Sequence, residues 1–294
     1  MLAIIGTVPV KDFPIVNGLL RLDGDLLKIN AKEIKVNRGT SALMAAAVTT
    51  AETIGAAPPH GFLVGDIGHG KGSRNLYKYL TEHIEEFSPG TITFHYLQPI
   101  AHWHDRVLST IKSLPKRPVL IADAGFMYAA KMSGSARSYD LFTPDLGELA
   151  FLADESSPHP FYTRGFILHD QNKATDLIDR AYAHNNAARH ILVKGSRDYV
   201  VRDGSIISTI ADPSVEALEA IGGTGDTITG IVSVLISAGY KITEAAEIAV
   251  KANRLAGLHA NPSPATSVSE IINHIPAALG EIFVKHTSRV KTNA

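Results

Sequence analysis

Ala220-Ile221-Gly222-Gly223-Thr224-Gly225-Asp226-Thr227 is the stretch of this 294-residue chain whose residue types and order best carry chemistry. Three glycines let the backbone turn sharply and approach a ligand closely. Ile228, Ile231, Val232, Leu235 and Ile236 follow at i, i+3, i+4, i+7 and i+8, which predicts an amphipathic helix. Gly239 stands where that helix would be capped. A glycine loop opening a helix presents free amides and the positive end of a helix dipole, a ready site for phosphate. Asp226, on the first turn, would stand beside such an anion and accept a proton from an attacking hydroxyl. The plain alternative is an aspartate that only N-caps the helix. The complete Gly-Gly-x-Gly-Asp pattern before so regular a helix favours the chemical reading.

A second glycine run, Gly65-Asp66-Ile67-Gly68-His69-Gly70-Lys71-Gly72-Ser73, follows the apolar Phe62-Leu63-Val64. It nearly matches Gly-x4-Gly-Lys-Ser/Thr, but Gly72 stands where the Mg²⁺-holding hydroxyl is needed. Gly68, at the carboxyl end of a strand, is a candidate to line a substrate cleft, with a tight structural turn as the alternative. Asp123 ends the Val119–Ala122 run at the same kind of edge, as a ligand contact or as a cap of the next turn. Asp145 and Glu148 share a helix face at i, i+3, and Thr143-Pro144 ahead of them favours Asp145 as the N-cap. His95, His102 and His104 have no metal-ligand spacing and read as ordinary surface or interface histidines. With no cysteine, no Gly-x-Ser-x-Gly and no His-Glu-x-x-His, thiol, iron–sulfur, serine-hydrolase and zincin chemistries have no support.

These residues need a scaffold, and the pattern supplies one. Short apolar runs at Phe62–Val64, Val119–Ala122, Phe166–Leu168 and Ile191–Val193 suit strands buried on both faces. Between them lie segments of helical length, including Leu76–Phe87 and Ala174–Ala187. Alternation of this kind predicts a three-layer α/β/α fold with a mostly parallel sheet. Asp203-Gly204 between Tyr199–Val201 and Ser205–Ile207 predicts a hairpin at one edge. Pro58-Pro59 and Ser156–Pro160 are loops with no linker character, so residues 1–294 are read as a single domain. Hydrophobic residues at 45% against 19% charged supply a large core. With 28 Lys plus Arg against 29 Asp plus Glu, no basic block marks a nucleic-acid or membrane surface. The apolar Met1–Val10 reads as a first strand, not a leader, so a cytoplasmic protein is expected.

The segment Gly222-Gly223-Thr224-Gly225-Asp226-Thr227-x-Thr229-Gly230-Ile231 resembles the signature of the ribokinase-like superfamily. Within it the similarity is greatest to the carbohydrate-kinase-related, ADP/ATP-dependent NAD(P)H-hydrate dehydratases. Ile121-Ala122-Asp123-Ala124 resembles their Asp-Ala-Asp strand end, and Phe142-Thr143-Pro144-Asp145-Leu146-Gly147-Glu148 their Thr-Pro-His-Pro-Gly-Glu. Val193-Lys194-Gly195-Ser196 resembles their Lys-Gly nucleotide segment, and Gly39-Thr40 before Ala45-Ala46-Ala47 their N-terminal glycine–alanine helix start. The good match runs from about Val119 to Tyr240, and the first 118 residues match loosely.

The resemblance implies phosphorylation of the hydroxyl of hydrated NADH or NADPH by ATP or ADP, followed by loss of phosphate. Asp226 would be the base, and Gly222, Gly223, Thr224 and Gly225 would hold the phosphoryl group. Lys194, Gly195, Ser196, Arg197 and Asp198 would lie along the nucleotide; Asn253 is a candidate for the adenine pocket, with a satisfied polar helix residue as the favoured alternative. Gly39, Gly68, Asp123, Asp145 and Glu148 would line the substrate. Mg²⁺ would come with the nucleotide and be held through water near Glu148, with no direct protein ligand. Homo-oligomers are common in this family, and the apolar Leu2–Val10 and His95–Trp103 segments are candidate interfaces. Asp145 and Leu146 depart from the family's His-Pro, which keeps open a kinase of a small sugar or vitamin-like alcohol. A non-catalytic nucleotide-binding protein is the third reading.

Overall fold

A computed structural model describes residues 1–155 and 174–292. The Phe166–Leu168 run and the Ser156–Pro160 loop signal lie outside the described residues. In chain order the elements open with β1 (Leu2–Val8), β2 (Val16–Asp23), β3 (Leu26–Ile29), β4 (Lys32–Lys35), α1 (Thr40–Ile54) and β5 (His60–Gly65). There follow α2 (Lys71–Phe87), β6 (Thr91–His95), α3 (Ala101–Lys112), β7 (Val119–Ala122), α4 (Gly125–Met132), β8 (Leu141–Phe142) and α5 (Leu146–Ala153). The rest are α6 (Ala174–Ala183), β9 (His190–Val193), β10 (Asp198–Arg202), β11 (Ser205–Ile210), α7 (Thr224–Ser237), α8 (Ile242–Ala260), α9 (Val268–Ile272) and α10 (Ile275–Thr292). The chain is an α/β protein whose sheet is mixed and mostly parallel. It packs as two compact units, Met1–Gly18 with His60–Thr209, and Leu19–Pro59 with Ile210–Ala294.

In the first unit the strands run β11-β10-β9-β8-β7-β6-β1-β5. From β5 through β9 each described pairing is parallel, and β10 returns antiparallel on β9. β1 has a parallel neighbour on each side and is buried along its whole length, as its continuous apolar run predicts for a strand covered on both faces. That placement corrects the expectation that Leu2–Val10 serves as a subunit interface, since β1 is interior. Ile5, Phe62, Leu76, Phe94, Phe126 and Ile191 belong to one core, with the Phe94 and Phe126 rings stacked 3.9 Å apart. The hairpin forms as its Asp-Gly pair predicts: Asp203 (φ 49°) and Gly204 (φ 84°) both take positive φ.

α2 begins at Lys71, five residues earlier than the periodicity suggests, because Gly70 in the left-handed region caps it and the Asp66 carboxylate takes the Ser73 amide. α6 ends at Ala183, short of Ala187, where Asn185 turns to positive φ. His95 and His104 are fully buried, not surface residues, while His102 is exposed. They are inside because His95 ends the interior strand β6, and because His104 lies on the inner face of α3 with Val107, Leu108 and Ile111.

The second unit carries the antiparallel β2-β3-β4 meander, to which β2 contributes its greater part, and the helices α1 and α7 to α10. Leu20, Leu27, Ile29 and Ile34 fill the buried face of the meander, as period-2 alternation requires. α1 and α7 are buried along nearly their full lengths. They approach so closely that a Cβ on Gly230 would collide with the Leu43 carbonyl oxygen. α7 closes with Gly239 (φ 100°) just beyond its last turn, where the sequence put the cap.

Burial sets a pH limit on this fold. His104 Nε2 lies 2.8 Å from the Tyr139 hydroxyl and Nδ1 2.9 Å from Ser133 Oγ. Burial pushes the His104 pKa below its ordinary 6.5, against the opposing pull of Asp105, and burial lowers His60 and His190 as well. The unfolded chain binds protons near pH 6.5 that these folded imidazoles refuse, so stability is lost as pH falls through that value. The melting temperature is expected to drop between about pH 7.5 and 5.5, and to drop less in His104→Gln. Parallel pH profiles for the two proteins would remove His104 from this account.

Candidate active site

In the second unit the Gly-Gly-Thr-Gly-Asp segment does open a helix. Gly223 is the N-cap of α7 at φ 105°, and no side chain caps that end. The first-turn amides of an α-helix have no partner within the helix, so this end presents donors outward. A Cβ on Gly223 would sit 3.2 Å from Asn37 O, Arg38 Cα and Val268 Cγ2, and one on Gly222 would sit 3.3 Å from Arg38 Cδ. Gly223 is held to glycine by its positive φ and by the Asn37 and Arg38 backbone beside it, while Gly222 lies against the Arg38 side chain. The Thr224 hydroxyl turns back to the Leu218 and Ile221 carbonyls, so this residue offers its amide and not its side chain.

Asp226 lies on the first turn of α7, half-buried, and accepts the Gly39 N–H at 2.7 Å. Gly39 is itself the N-cap of α1, at φ 72° and ψ −143°. No L side chain is comfortable there. Gly39, expected to touch substrate, therefore serves as the backbone donor that fixes the Asp226 carboxylate. The sequence does not predict this contact, because 187 positions separate the two residues. It equally misses Arg38, whose stem lies against Gly222.

In the first unit the parallel strands deliver a row of polar residues at their carboxyl ends. His95 closes β6, Asp123 follows β7, Asp145 follows β8, and Lys194 follows β9. Lys194 Nζ donates to both Asp123 oxygens, at 2.9 and 2.8 Å, with both residues buried. His95 Nε2 lies 3.9 Å from the same carboxylate. Lys194 was expected along a nucleotide, but its ammonium is committed to Asp123. Two non-glycine residues at positive φ sit immediately after these groups, Tyr96 at 49° and Ala124 at 50°. Strain of this kind clusters at functional sites.

Asp145 N-caps α5 in a full capping box: its side chain accepts the Glu148 amide at 2.7 Å, and Glu148 accepts the Asp145 amide at 2.8 Å. Burial, then the like charges of Asp145 and Asp123, push the Glu148 carboxyl well above the ordinary range, with Lys194 opposing. Gly195 donates its amide to Asp198 at 3.0 Å, so the buried Asp198 shapes the turn, while Ser196 is half-buried and Arg197 exposed.

Two further candidates are engaged elsewhere. The Gly68 and Gly70 amides both donate to Asp66 Oδ1 at 3.0 Å, and the Ser73 amide and hydroxyl to Oδ2 at 2.8 Å. This glycine run is a loop folded around its own carboxylate, not a phosphate cradle. Asn253, 5% exposed, accepts the Thr227 hydroxyl at 2.5 Å and ties α8 to α7.

The model of the family described as NAD(P)H-hydrate dehydratase matches residues 101–277. The chain belongs to that family. An uncharacterised protein of Methanocaldococcus jannaschii is 44% identical over 216 residues, covering 73% of this chain and 88% of its own. A ribokinase-like superfamily protein from Enterococcus faecalis V583 superposes with a TM-score of 0.58 at 17% identity, over 95% of this chain and 86% of its own. The tetrameric inhibited form of Escherichia coli phosphofructokinase-2 gives 0.55 at 13% identity, over 95% and 99%. Pyridoxal kinase from Staphylococcus aureus, in complex with pyridoxal, gives 0.53 at 12%, over 86% of each chain. The fold is ribokinase-like, and this member of the hydrate dehydratase family is a nucleotide-dependent enzyme of that superfamily. Among its described residues no helix is long and apolar enough to cross a membrane.

The Asp123–Lys194 pair supplies a test of the first unit's edge. Removing one partner of a buried ion pair strands the other charge, at a cost of about 3–5 kcal/mol. Lys194→Met is therefore expected to lower stability sharply in denaturant melts, and Asp123→Leu with Lys194→Met to recover most of the loss. Additive losses in the double variant would show that the two side chains do not act as a pair.

Proposed function

We propose that this enzyme uses ATP or ADP to phosphorylate the hydroxyl of hydrated NADH or NADPH and then expels phosphate, restoring the reduced nicotinamide. The observation that carries the reading is the Asp226 carboxylate, held by the Gly39 N–H beside the uncapped start of α7. In the first step the substrate oxygen attacks the terminal phosphorus and its proton passes to Asp226. The new O–P bond forms as the donor's bridging P–O bond breaks, and the nucleotide leaves with the electron pair. The amides of Gly223 to Gly225 hold the phosphoryl oxygens through this change, which is most of what phosphoryl transfer asks of a protein. In the second step the C–O bond breaks, phosphate departs with that pair, and loss of a proton from the adjacent carbon re-forms the double bond.

Mg²⁺, arriving with the nucleotide, would neutralise phosphate charge. Glu148 suits a water-mediated role toward it, being an oxygen donor crowded by the Asp145 and Asp123 charges. Ser196 and Arg197 remain the nucleotide-facing candidates of the Lys194–Asp198 turn, with Lys194 and Asp198 holding its shape. Asp123, Asp145 and Glu148 are assigned to the substrate.

One observation favours a second reading, a kinase of another small alcohol. Asp145 stands where the resembled family has histidine, and its side chain is used as a helix cap. A negative charge there disfavours an anionic dinucleotide without touching the phosphoryl machinery.

The deciding assay gives the enzyme hydrated NADH, Mg²⁺ and either ATP or ADP, and follows recovery of the reduced-nicotinamide absorbance. Asp226→Asn is expected to slow recovery by about 10²–10⁴-fold, the usual worth of a general base, while nucleotide affinity stays within about threefold. Recovery within about tenfold of wild type, or about 1.4 kcal/mol in barrier, would remove Asp226 as the base. No recovery by wild type despite nucleotide binding would move the reading to the second kinase.

A further inference from the structure

We infer that Arg38 is a catalytic residue whose guanidinium contacts the phosphoryl group being transferred, an assignment that rests on the phosphoryl-transfer reading of Asp226. Arg38 is next in sequence to Gly39, the residue whose N–H fixes the base. Its stem occupies the space beside the glycine loop, with Cδ 3.3 Å and Cβ 3.6 Å from where a Gly222 Cβ would be. Its backbone is pinned: the Ser41 hydroxyl accepts the Asn37 amide at 3.2 Å and donates to the Arg38 carbonyl at 3.4 Å. The side chain is exposed and forms no ion pair with any described carboxylate.

The charges around it favour an anion. α1 and α7 start side by side, with Gly39 and Gly223 as their N-caps and no side chain capping either end. Each helix contributes roughly half a positive charge at its start. Asp226 is the acid in the first turn of α7, and α1 has none. An exposed arginine beside two like helix ends, where the one acid, Asp226, already takes the Gly39 N–H, is placed to meet an anionic ligand. A phosphoryl group carries three oxygens that a planar guanidinium can take two at a time. Lysine 194, the cation that the sequence suggests for the phosphates, is bound instead to Asp123. An arginine aimed at a transferring phosphoryl group is worth about 10³–10⁵ in rate in phosphoryl-transfer enzymes.

The test uses Arg38→Met, Arg38→Lys and Asp226→Asn in the full chain, with melting curves to confirm that each folds. Turnover is followed on hydrated NADH. Calorimetry compares the phosphoryl donor with the same nucleotide lacking its terminal phosphate, ATP against ADP or ADP against AMP. Arg38→Met is expected to lower kcat by about 10²-fold or more with the KM of the alcohol nearly unchanged. It should bind the donor about tenfold more weakly but the shorter nucleotide within about threefold, and Arg38→Lys should restore part of both. Equal weakening toward both nucleotides, or none toward either, overturns the inference even if the wild type turns over no substrate tried. If Arg38→Met is as active as wild type while Asp226→Asn is dead, Arg38 is wrongly assigned and the reading of the base stands. If Asp226→Asn is active, that reading fails, and the donor-selective binding loss alone decides Arg38.

Discussion

The glycine loop depends on how closely α1 and α7 pack. Gly230 leaves no room for a side chain against the Leu43 carbonyl, and Ala46 and Ala47 line the same contact. Gly39 lies at the start of α1 and Asp226 at the start of α7, so the contact points advance together along both helices. The two helices are therefore parallel neighbours with their starts together. That arrangement sets like ends of two dipoles side by side, which is unfavourable without a negative charge between them. One carboxylate, Asp226, is supplied by the chain, and its hydrogen bond to Gly39 uses a donor that α1 cannot satisfy internally. The Asp226–Gly39 contact, the uncapped glycine loop and the place of the Arg38 stem thus all follow from a single helix contact set by small residues.

The first unit reaches its polar row by a different route. Parallel strands all end at the same edge, so the residues after β6, β7, β8 and β9 become neighbours whatever their distance in sequence. A buried lysine–aspartate pair is a poor way to stabilise a fold, because desolvation offsets the attraction. Asp123–Lys194 is better understood as positioning: the ammonium holds the carboxylate at one orientation on a strand end whose next residue, Ala124, is already strained.

What the sequence makes legible is local. The glycine loop and its helix, the Asp145 N-cap and the Asp203-Gly204 turn are each written within a few residues, and each forms as read. The strand pattern conveys the α/β class because strands buried on both faces are uniformly apolar. What stays hidden depends on long-range contact. Nothing near Gly39 announces a partner 187 residues away. His95 and His104 carry no sign of burial, since a histidine on a strand end or a helix looks alike inside and out. The Gly68 amide is taken by Asp66, a contact that the sequence does not announce. Asn253 sits on a helix buried on most of its faces, so periodicity cannot tell which neighbour it meets. Gly72 is required because a Cβ there would strike the Gly65 carbonyl oxygen, a packing reason with no local signature.

The departure at Asp145 shows how the two kinds of information differ in weight. By sequence alone it is a lost histidine and argues against the family's substrate. In the fold it is an N-cap whose side chain takes the Glu148 amide, so part of its charge is met by the start of α5. The repulsion an anionic dinucleotide would feel is weakened, and Glu148, not Asp145, becomes the acid under electrostatic pressure. Burial, then the like charges of Asp145 and Asp123, hold the Glu148 carboxyl above its ordinary range, with Lys194 opposing. The substitution therefore trades a histidine for a helix cap and leaves Glu148, not Asp145, as the strained acid of this cluster.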